Sequence, residues 1–368
     1  METAAAMKFR SVICAGLALT CGTPVWAQSS VTLYGLIDQG IEFVNHATKG
    51  QGEGYRMGDG TATSFFGMRG TEGLGGGLKT IWDLQGGFSP STGVSRQGPR
   101  LFGRQAYVGL DGRFGRLTFG RQYTMRFFGT SFINPFGTGA QGLTTLDNGV
   151  ANARADNSIS YRYFLGSFEA GVNYSFGRDG VNGDSSVATN CPGQAGDWKA
   201  CKEWSLLLKY DAHTWGVASS YERDYGGPSV TYGGLTSASL TDSRFTLGGY
   251  VQLFGAKFGL GWLERINEAI STPRSNLVWL TGTVPVGPAF SIDGMLAQIK
   301  YEHSPNKAVA IVLRGEYFLS KSTFLYVTGE HISNGGTLAF AATTLTPVPT
   351  PAPGGSQISV IAGIRHTF

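Results

Sequence analysis

An all-β transmembrane antiparallel barrel of about sixteen strands is the fold that this sequence predicts, and three observations predict it. Short stretches alternating apolar and polar residues recur along the chain, in pairs joined by tight, often glycine-rich turns. The links between pairs are long and polar, so short turns gather on one rim and long loops on the other. After the first 27 residues, no stretch approaches the ~18–20 apolar residues of a membrane-crossing helix. A soluble sandwich seldom segregates its loops this way and needs fewer strands.

Composition agrees with that class. The 368 residues include only 15% charged residues, 12% aromatics and 56 glycines, twice the average glycine share of ~7%. The aromatics and the lack of a Pro/Ser/Gln bias argue against disorder. The net charge of +4 is spread out, and no basic run with interleaved aromatics offers a nucleic-acid face. No linker divides the chain.

Residues 1–27 read as a cleaved export signal. Lys8 and Arg10 precede an apolar core at 11–22, and Val25-Trp26-Ala27 forms a small-residue cleavage site. Met7 offers an alternative start, and the core is too short for a membrane anchor. The barrel then occupies residues 28–368. Cys14 and Cys21 leave with the signal. Cys191 and Cys201 lie in a polar segment of an exported chain and fit a loop disulfide better than a metal site, because no histidine lies near.

The elements follow in order. The first strand, 31–44 (VTLYGLIDQGIEFV), puts Val31, Leu33, Ile37, Ile41 and Phe43 on a lipid-facing side and Asp38 and Glu42 on a lumenal side. Stretches 61–71 and 78–88 form a hairpin about EGLGGG, which reads as a turn because no helix follows it. A second hairpin joins 101–110 to 116–122. Further strands fall at 157–164, 168–176, 204–210, 215–221, 245–253, 256–263, 277–284, 290–301, 308–318, 324–331 and 358–368. Polar insertions at 177–202, 223–243 and 346–355 separate the pairs. Phe43, Phe88, Tyr123, Tyr174, Phe176, Tyr210, Tyr301 and Phe368 gather near strand ends, as interfacial girdles require.

One stretch, 123–155, stops alternating for about thirty residues, far beyond the usual loop of ~4–6. Phe127, Phe128, Phe132, Ile133, Phe136 and Leu143 give it something to pack with. It is expected to fold into the hollow of the barrel and define its narrowest point.

Eight motifs in order carry a resemblance over nearly the whole exported chain: VTLYG (31–35), GMRGTEGLGGGLK (67–79), GRQAYVGL (103–110), FGRQYT (119–124), NPFG (134–137), DNSI (156–159), YFLSKST (317–323) and GIRHTF (363–368). The chain resembles the trimeric, sixteen-stranded Gram-negative general porins of Burkholderia- and Neisseria-like bacteria. The resemblance implies a homotrimer in the outer membrane, in contact with lipid and lipopolysaccharide, passing ions and small hydrophilic solutes. It implies that 123–155, after the fifth strand, is the constriction loop, anchored by Asn134, Pro135, Phe136 and Gly137. It also makes Phe368 part of the signal read by the barrel-assembly machinery. The chain departs from the family at Ser64-Phe65-Phe66-Gly67, where an arginine usually replaces Phe65, at Glu72-Gly73 for Glu-Asp, and at Asn134 for an aspartate.

A diffusion pore needs no bond chemistry; like charges at a narrow, low-dielectric passage set its preference. The expected constriction charges are Arg69, Arg104 and Arg162 against Asp38, Glu42 and Asp83 on the wall, with Arg126 and Asp147 from the loop. The sum favours a basic passage with weak to moderate anion selectivity. Alternatively, these arginines pair with nearby carboxylates and set no preference. Arg121 shares a face with Leu117 and Phe119, so it should lie near the rim or in a trimer interface. A substrate-specific channel for a sugar or organic anion and, less well supported, a surface adhesin are the competing readings. Five scattered histidines and the absence of a G-x-S-x-G elbow leave no enzyme, metal or cofactor site to propose.

Overall fold

A computed structural model describes residues 29–181 and 188–368; the signal reading of residues 1–27, with Met7 as alternative start, lies outside them. The first strands are β1 (Ser29–Thr48), β2 (Gln51–Gly58), β3 (Phe65–Gly75), β4 (Leu78–Gly87), β5 (Gln105–Gly112) and β6 (Gly115–Tyr123). Then come β7 (Arg154–Leu165), β8 (Phe168–Ser175), β9 (Glu203–Asp211), β10 (Trp215–Tyr225), β11 (Thr241–Leu253) and β12 (Ala256–Asn267). The last are β13 (Arg274–Pro285), β14 (Phe290–Tyr301), β15 (Lys307–Phe318), β16 (Thr323–Gly335) and β17 (Ser356–Thr367). Apart from β2 and β3, which both pair with β1, neighbours in sequence pair antiparallel, and β1 pairs with β17 to close the ring.

Seventeen strands make sixteen wall positions. β3 lies along the first half of β1 and β2 along the second, so the two form one wall strand interrupted at 59–64. The cause of the interruption is Asp38. Its fully buried carboxylate accepts the backbone N–H groups of Gly60, Thr61 and Ala62 at 3.0, 3.0 and 3.2 Å. Amides drawn to a carboxylate are lost to the sheet ladder but remain satisfied. Sequence reading missed β2, because QGEGYRMG has three glycines in eight residues and scarcely alternates. The strand expected at 101–110 starts at Gln105, leaving Arg104 in the preceding loop.

Alternation sorts the two faces as expected for a wall between lipid and lumen. On β1, Ile41 is 61% exposed on the outside while Asp38 and Glu42 are at 0% inside. Tyr174, Phe176, Tyr210 and Phe368 are exposed on the outer surface. Tyr123 and Tyr301 correct the girdle expectation. Tyr123 is buried and stacks on Phe127 with ring centroids 3.7 Å apart, and Tyr301 packs on an interior cluster. A ring near a strand end faces whichever side its parity dictates.

That interior cluster is the second departure from a plain pore. Leu263, Leu277, Trp279, Met295, Ile299, Val312 and Ile332 on β12–β16 point inward and are buried, with Ile133, Phe136, Leu143, Leu146 and Val150 packed on them. The latter belong to the segment between β6 and β7, which carries α1 (Met125–Ser131), α2 (Leu143–Leu146) and α3 (Gly149–Asn152). Strands covered by lipid outside and by a loop inside are apolar on both faces, hence the unbroken runs LVWL at 277–280 and AVAIVL at 308–313. On the long-loop side, Cys191 and Cys201 are disulfide-bonded and pack with Val230 of the next loop.

Leu313, at the middle of β15, is 61% exposed on the outer face. Leu313→Arg should cost about 2–4 kcal/mol if that face meets lipid near the bilayer midplane. Urea titration of the barrel refolded into bilayers reads this out, and an unchanged midpoint would show that Leu313 does not face lipid.

Candidate functional site: the inner loop and the opposing wall

The loop 124–153 is held inside the barrel by shape, charge and hydrogen bonds together. Ile133 fits against Gly248 of β11 and Gly261 of β12, where an added Cβ would overlap its side chain; Gly216 makes the same room for Phe132. These glycines are there for close approach, not for backbone freedom. Arg126 Nε donates to Glu222 of β10 at 2.6 Å, and its Nη2 donates to the Gly149 carbonyl at 2.8 Å. Asp147 accepts Arg244 of β11 at 2.9 Å and the Gly149 N–H at 2.8 Å. Burial alone would raise the Asp147 carboxyl, but Arg244 and Arg265 hold it well below the ordinary carboxylate range. Farther round, Glu330 of β16 accepts the Gly142 N–H at 2.7 Å and the Thr145 hydroxyl at 2.6 Å. Gln141 donates to Ser359 of β17 at 3.0 Å.

The NPFG turn is closed by its own asparagine, which donates to the Gly137 carbonyl at 2.9 Å and accepts the Phe136 N–H at 3.2 Å. Gly137 has φ +57°, a left-handed conformation that suits glycine. Phe136 lies under the Arg314 guanidinium, 4.8 Å from its ring centroid, and Arg314 also donates to the Pro135 carbonyl at 3.0 Å.

Between this turn and the wall runs a cavity of about 280 Å³. The loop contributes Thr130, Ser131 and Asn134, while Arg104, Arg314, Arg365 and Glu316 come from the opposite side. Arg314 is bonded to Asp293 at 2.6 Å and Glu316 at 3.0 Å. Arg104 sits 4.5 Å over Phe65, the residue that stands where the resembled family carries arginine, and donates to the Tyr123 hydroxyl at 3.0 Å. Arg154 donates to the same hydroxyl at 2.9 Å. Among the described residues, Arg104, Arg154 and Arg365 have no carboxylate within ion-pair distance.

The residues expected at the constriction therefore divide. Arg104 faces the passage with its charge uncompensated. Arg69 lies over Tyr34 at 4.6 Å, and Tyr34 donates to Asp83 at 2.6 Å, so these line one polar patch of the wall. Arg162 is bonded to Glu169 at 2.7 Å and capped by Phe128. Asp38 and Glu42 do face inward but are spent on structure, Asp38 on the wall break and Glu42 on Arg56 and Ser359. Arg126 and Asp147, expected as the loop's charges at the constriction, are anchors, each paired with a wall partner. Arg121 pairs with Asp156 of its own chain at 2.6 Å and donates to the Gly103 carbonyl at 2.7 Å beneath loop 88–104. Phe368 is exposed outside, and its backbone bonds both ways with Gly35.

Sequence reading missed Arg314, Arg365 and Arg154. Arg365 was within reach, since its parity opposes the outward Val360, Ala362 and Ile364. The glycine recess was not legible, because nothing local distinguishes it from turn glycines.

A closed barrel, apolar outside, with a loop narrowing a polar interior, is a transmembrane diffusion channel. The chain belongs to the Gram-negative porin family, whose model matches residues 14–337. It is 30% identical over 373 residues to outer membrane porin protein 32 of Delftia acidovorans, covering 93% of this chain and 95% of that one. An outer membrane porin of Bordetella pertussis is 29% identical with the same coverage. The solved anion-selective porin from Comamonas acidovorans superposes with a TM-score of 0.76 at 25% identity, over 93% of this chain and 100% of that one. The protein is thus an outer-membrane porin passing ions and small hydrophilic solutes by diffusion, in a family of channels rather than enzymes.

Asp147→Ala would take from the buried Arg244 its partner on the loop and leave it Asp242 at 3.0 Å, a loss below the about 3–5 kcal/mol of a fully broken buried pair. Gly248→Val would evict Ile133. Both variants should expose 124–153 to protease while the barrel stays intact. A loop as protected as in the parent protein would contradict the anchoring described.

Proposed function

We propose that this porin prefers anions weakly to moderately. The single observation that carries the reading is the make-up of the 280 Å³ passage: Arg104 and Arg365 stand without an ion-pair partner among the described residues, opposite a loop face that offers hydroxyls, an amide and carbonyls. Glu316, the acid of that lining, shares Arg314 with Asp293, so Arg104, Arg314 and Arg365 stand against two carboxylates and the passage keeps a net positive charge. Fixed positive charge beside a low-dielectric wall concentrates anions and repels cations. Asn134, in place of the family's usual acid, withholds the opposing negative field. The solved relative with an anion-selective description supports the same reading.

The remaining expectations stand on the family and on local features. Residues 1–27 would be removed on export. Phe368, at the end of the closing strand, would be read by the assembly machinery, and the outer band would meet lipid and lipopolysaccharide. A homotrimer would use the side of loop 88–104, which shows exposed Val94 and Leu101 and is tied down by Arg100 and Arg121 on Asp156. A solute-specific channel is the second reading, favoured by the aromatic Tyr123–Phe127 stack beside the passage.

The deciding measurement is the bilayer reversal potential in a KCl gradient. It should carry the sign of anion preference and shift toward zero in Arg104→Ala, and further in the Arg104→Ala/Arg365→Ala double variant. A potential that does not move in either variant refutes the basic-passage assignment. Saturable block by a neutral sugar would favour the second reading.

A further inference from the structure

We propose that the passage beside the inner loop holds a subsite for aromatic carboxylates, small anions that carry their charge next to a ring. Such a subsite gives the basic passage a solute class, and it rests on that reading, which the reversal potential in KCl tests separately. Two features meet there: a stack of rings with one open end, and an accessible guanidinium beside it.

The stack starts at Tyr123, buried at the end of β6. The Arg154 guanidinium lies 4.5 Å from its ring centroid, and Phe127 of α1 stacks on it at 3.7 Å with the planes 14° apart. Phe128 stands edge-on to the pair, 5.6 Å from Phe127 and 6.5 Å from Tyr123. Those separations set Phe128 almost at right angles to the Tyr123–Phe127 direction. It therefore covers an edge of Phe127 and leaves the face turned away from Tyr123. Of the three rings that border the 280 Å³ cavity, Tyr123 and Phe136 are buried, whereas Phe127 is only half-buried. A further ring laid against Phe127 would remove apolar surface from water and add an offset or edge contact.

The charge beside the stack is Arg104. It is held between Phe65, 4.5 Å away, and the Tyr123 hydroxyl, to which its Nη2 donates at 3.0 Å. Its Nη1 makes no hydrogen bond among the described residues and is not shut away from solvent. An accessible N–H of a positioned guanidinium is a ready donor to a carboxylate.

Tyr123 ties the two features together, touching Phe127 with its ring and Arg104 with its hydroxyl, and both border the same cavity. One small molecule of ring plus carboxylate therefore reaches both. A plain carboxylate would take the Arg104 N–H and leave the Phe127 face wet. A neutral ring would cover Phe127 and leave the charge unanswered. Aromatic carboxylates would dwell in the passage, and the pore would favour them over aliphatic acids of like charge.

The test compares three solutes on the purified porin by single-channel recording in KCl: phenylacetate, its charge-only counterpart acetate, and its neutral counterpart phenylacetamide. Phenylacetate should interrupt the current saturably, with half-effect at a concentration about tenfold or more below either of the others. Phe127→Leu should weaken phenylacetate about fivefold or more and acetate less than about twofold. Arg104→Gln should weaken both anions and spare phenylacetamide. Acetate or phenylacetamide acting as strongly as phenylacetate would overturn the proposal, as would phenylacetate block unchanged in Phe127→Leu. An anion-signed potential in KCl without any saturable phenylacetate effect would overturn it too, while leaving the basic passage intact. A potential unmoved by Arg104→Ala would remove both readings. Should Phe127→Leu fail to fold, the three-solute comparison on the parent protein still decides.

Discussion

Seating a loop inside a water-filled barrel demands an apolar surface where a pore wall is ordinarily polar, and much of this structure follows from that demand. On β12–β16 the inward residues give up polarity so that Ile133, Phe136, Leu143, Leu146 and Val150 have a core to join. Each such side chain gains roughly 1.5–3 kcal/mol on full burial. Fixing some thirty loop residues costs ~1–2 kcal/mol apiece in backbone entropy, so packing alone is insufficient. The wall adds what packing lacks: Glu222, Arg244, Glu330 and Ser359 each hold a different part of the loop.

The anchoring chemistry also decides which charges the passage feels. Arg126 and Arg244 are paired with carboxylates in a confined, low-dielectric place, and a close pair presents little net field at a distance. Arg104 and Arg365 have no such partner and keep theirs. Counting charged residues in the lumen therefore misleads. The field belongs to those that the anchoring has not consumed, and here they are basic.

Much of the wall could be read from the chain because period-two alternation is local and turns punctuate it. The stretch 290–301, for instance, is β14 as observed, residue for residue. The inner loop betrayed itself by length and aromatic content. Roles were harder than faces. Parity sent Asp38 and Glu42 inward correctly, but whether an inward carboxylate meets solute or a neighbour depends on Arg56, Tyr326 and the amides of 60–62, which sequence spacing does not bring together. Arg121 is similar. Its alternation suggested an outward charge, but the β6–β7 ladder slips between Gly120 and Gln122, and Asp156 becomes its partner.

The direction of the loop's anchors has a consequence for assembly. Most of the wall groups that grip residues 124–153 belong to strands later in the chain, from Ser205 on β9 to Ser359 on β17, while the earlier chain offers the Gly60 carbonyl to Ala140. When the first five wall positions have formed, the loop has little beyond the Gly60 carbonyl to hold it. It can seat only as the second half of the wall curls round to meet β1, so closure of the cylinder and narrowing of its bore are completed together. A chain that stopped short of β16 would lack the Glu330 grip as well as the seam, leaving an unfinished wall with a loop held on one side only.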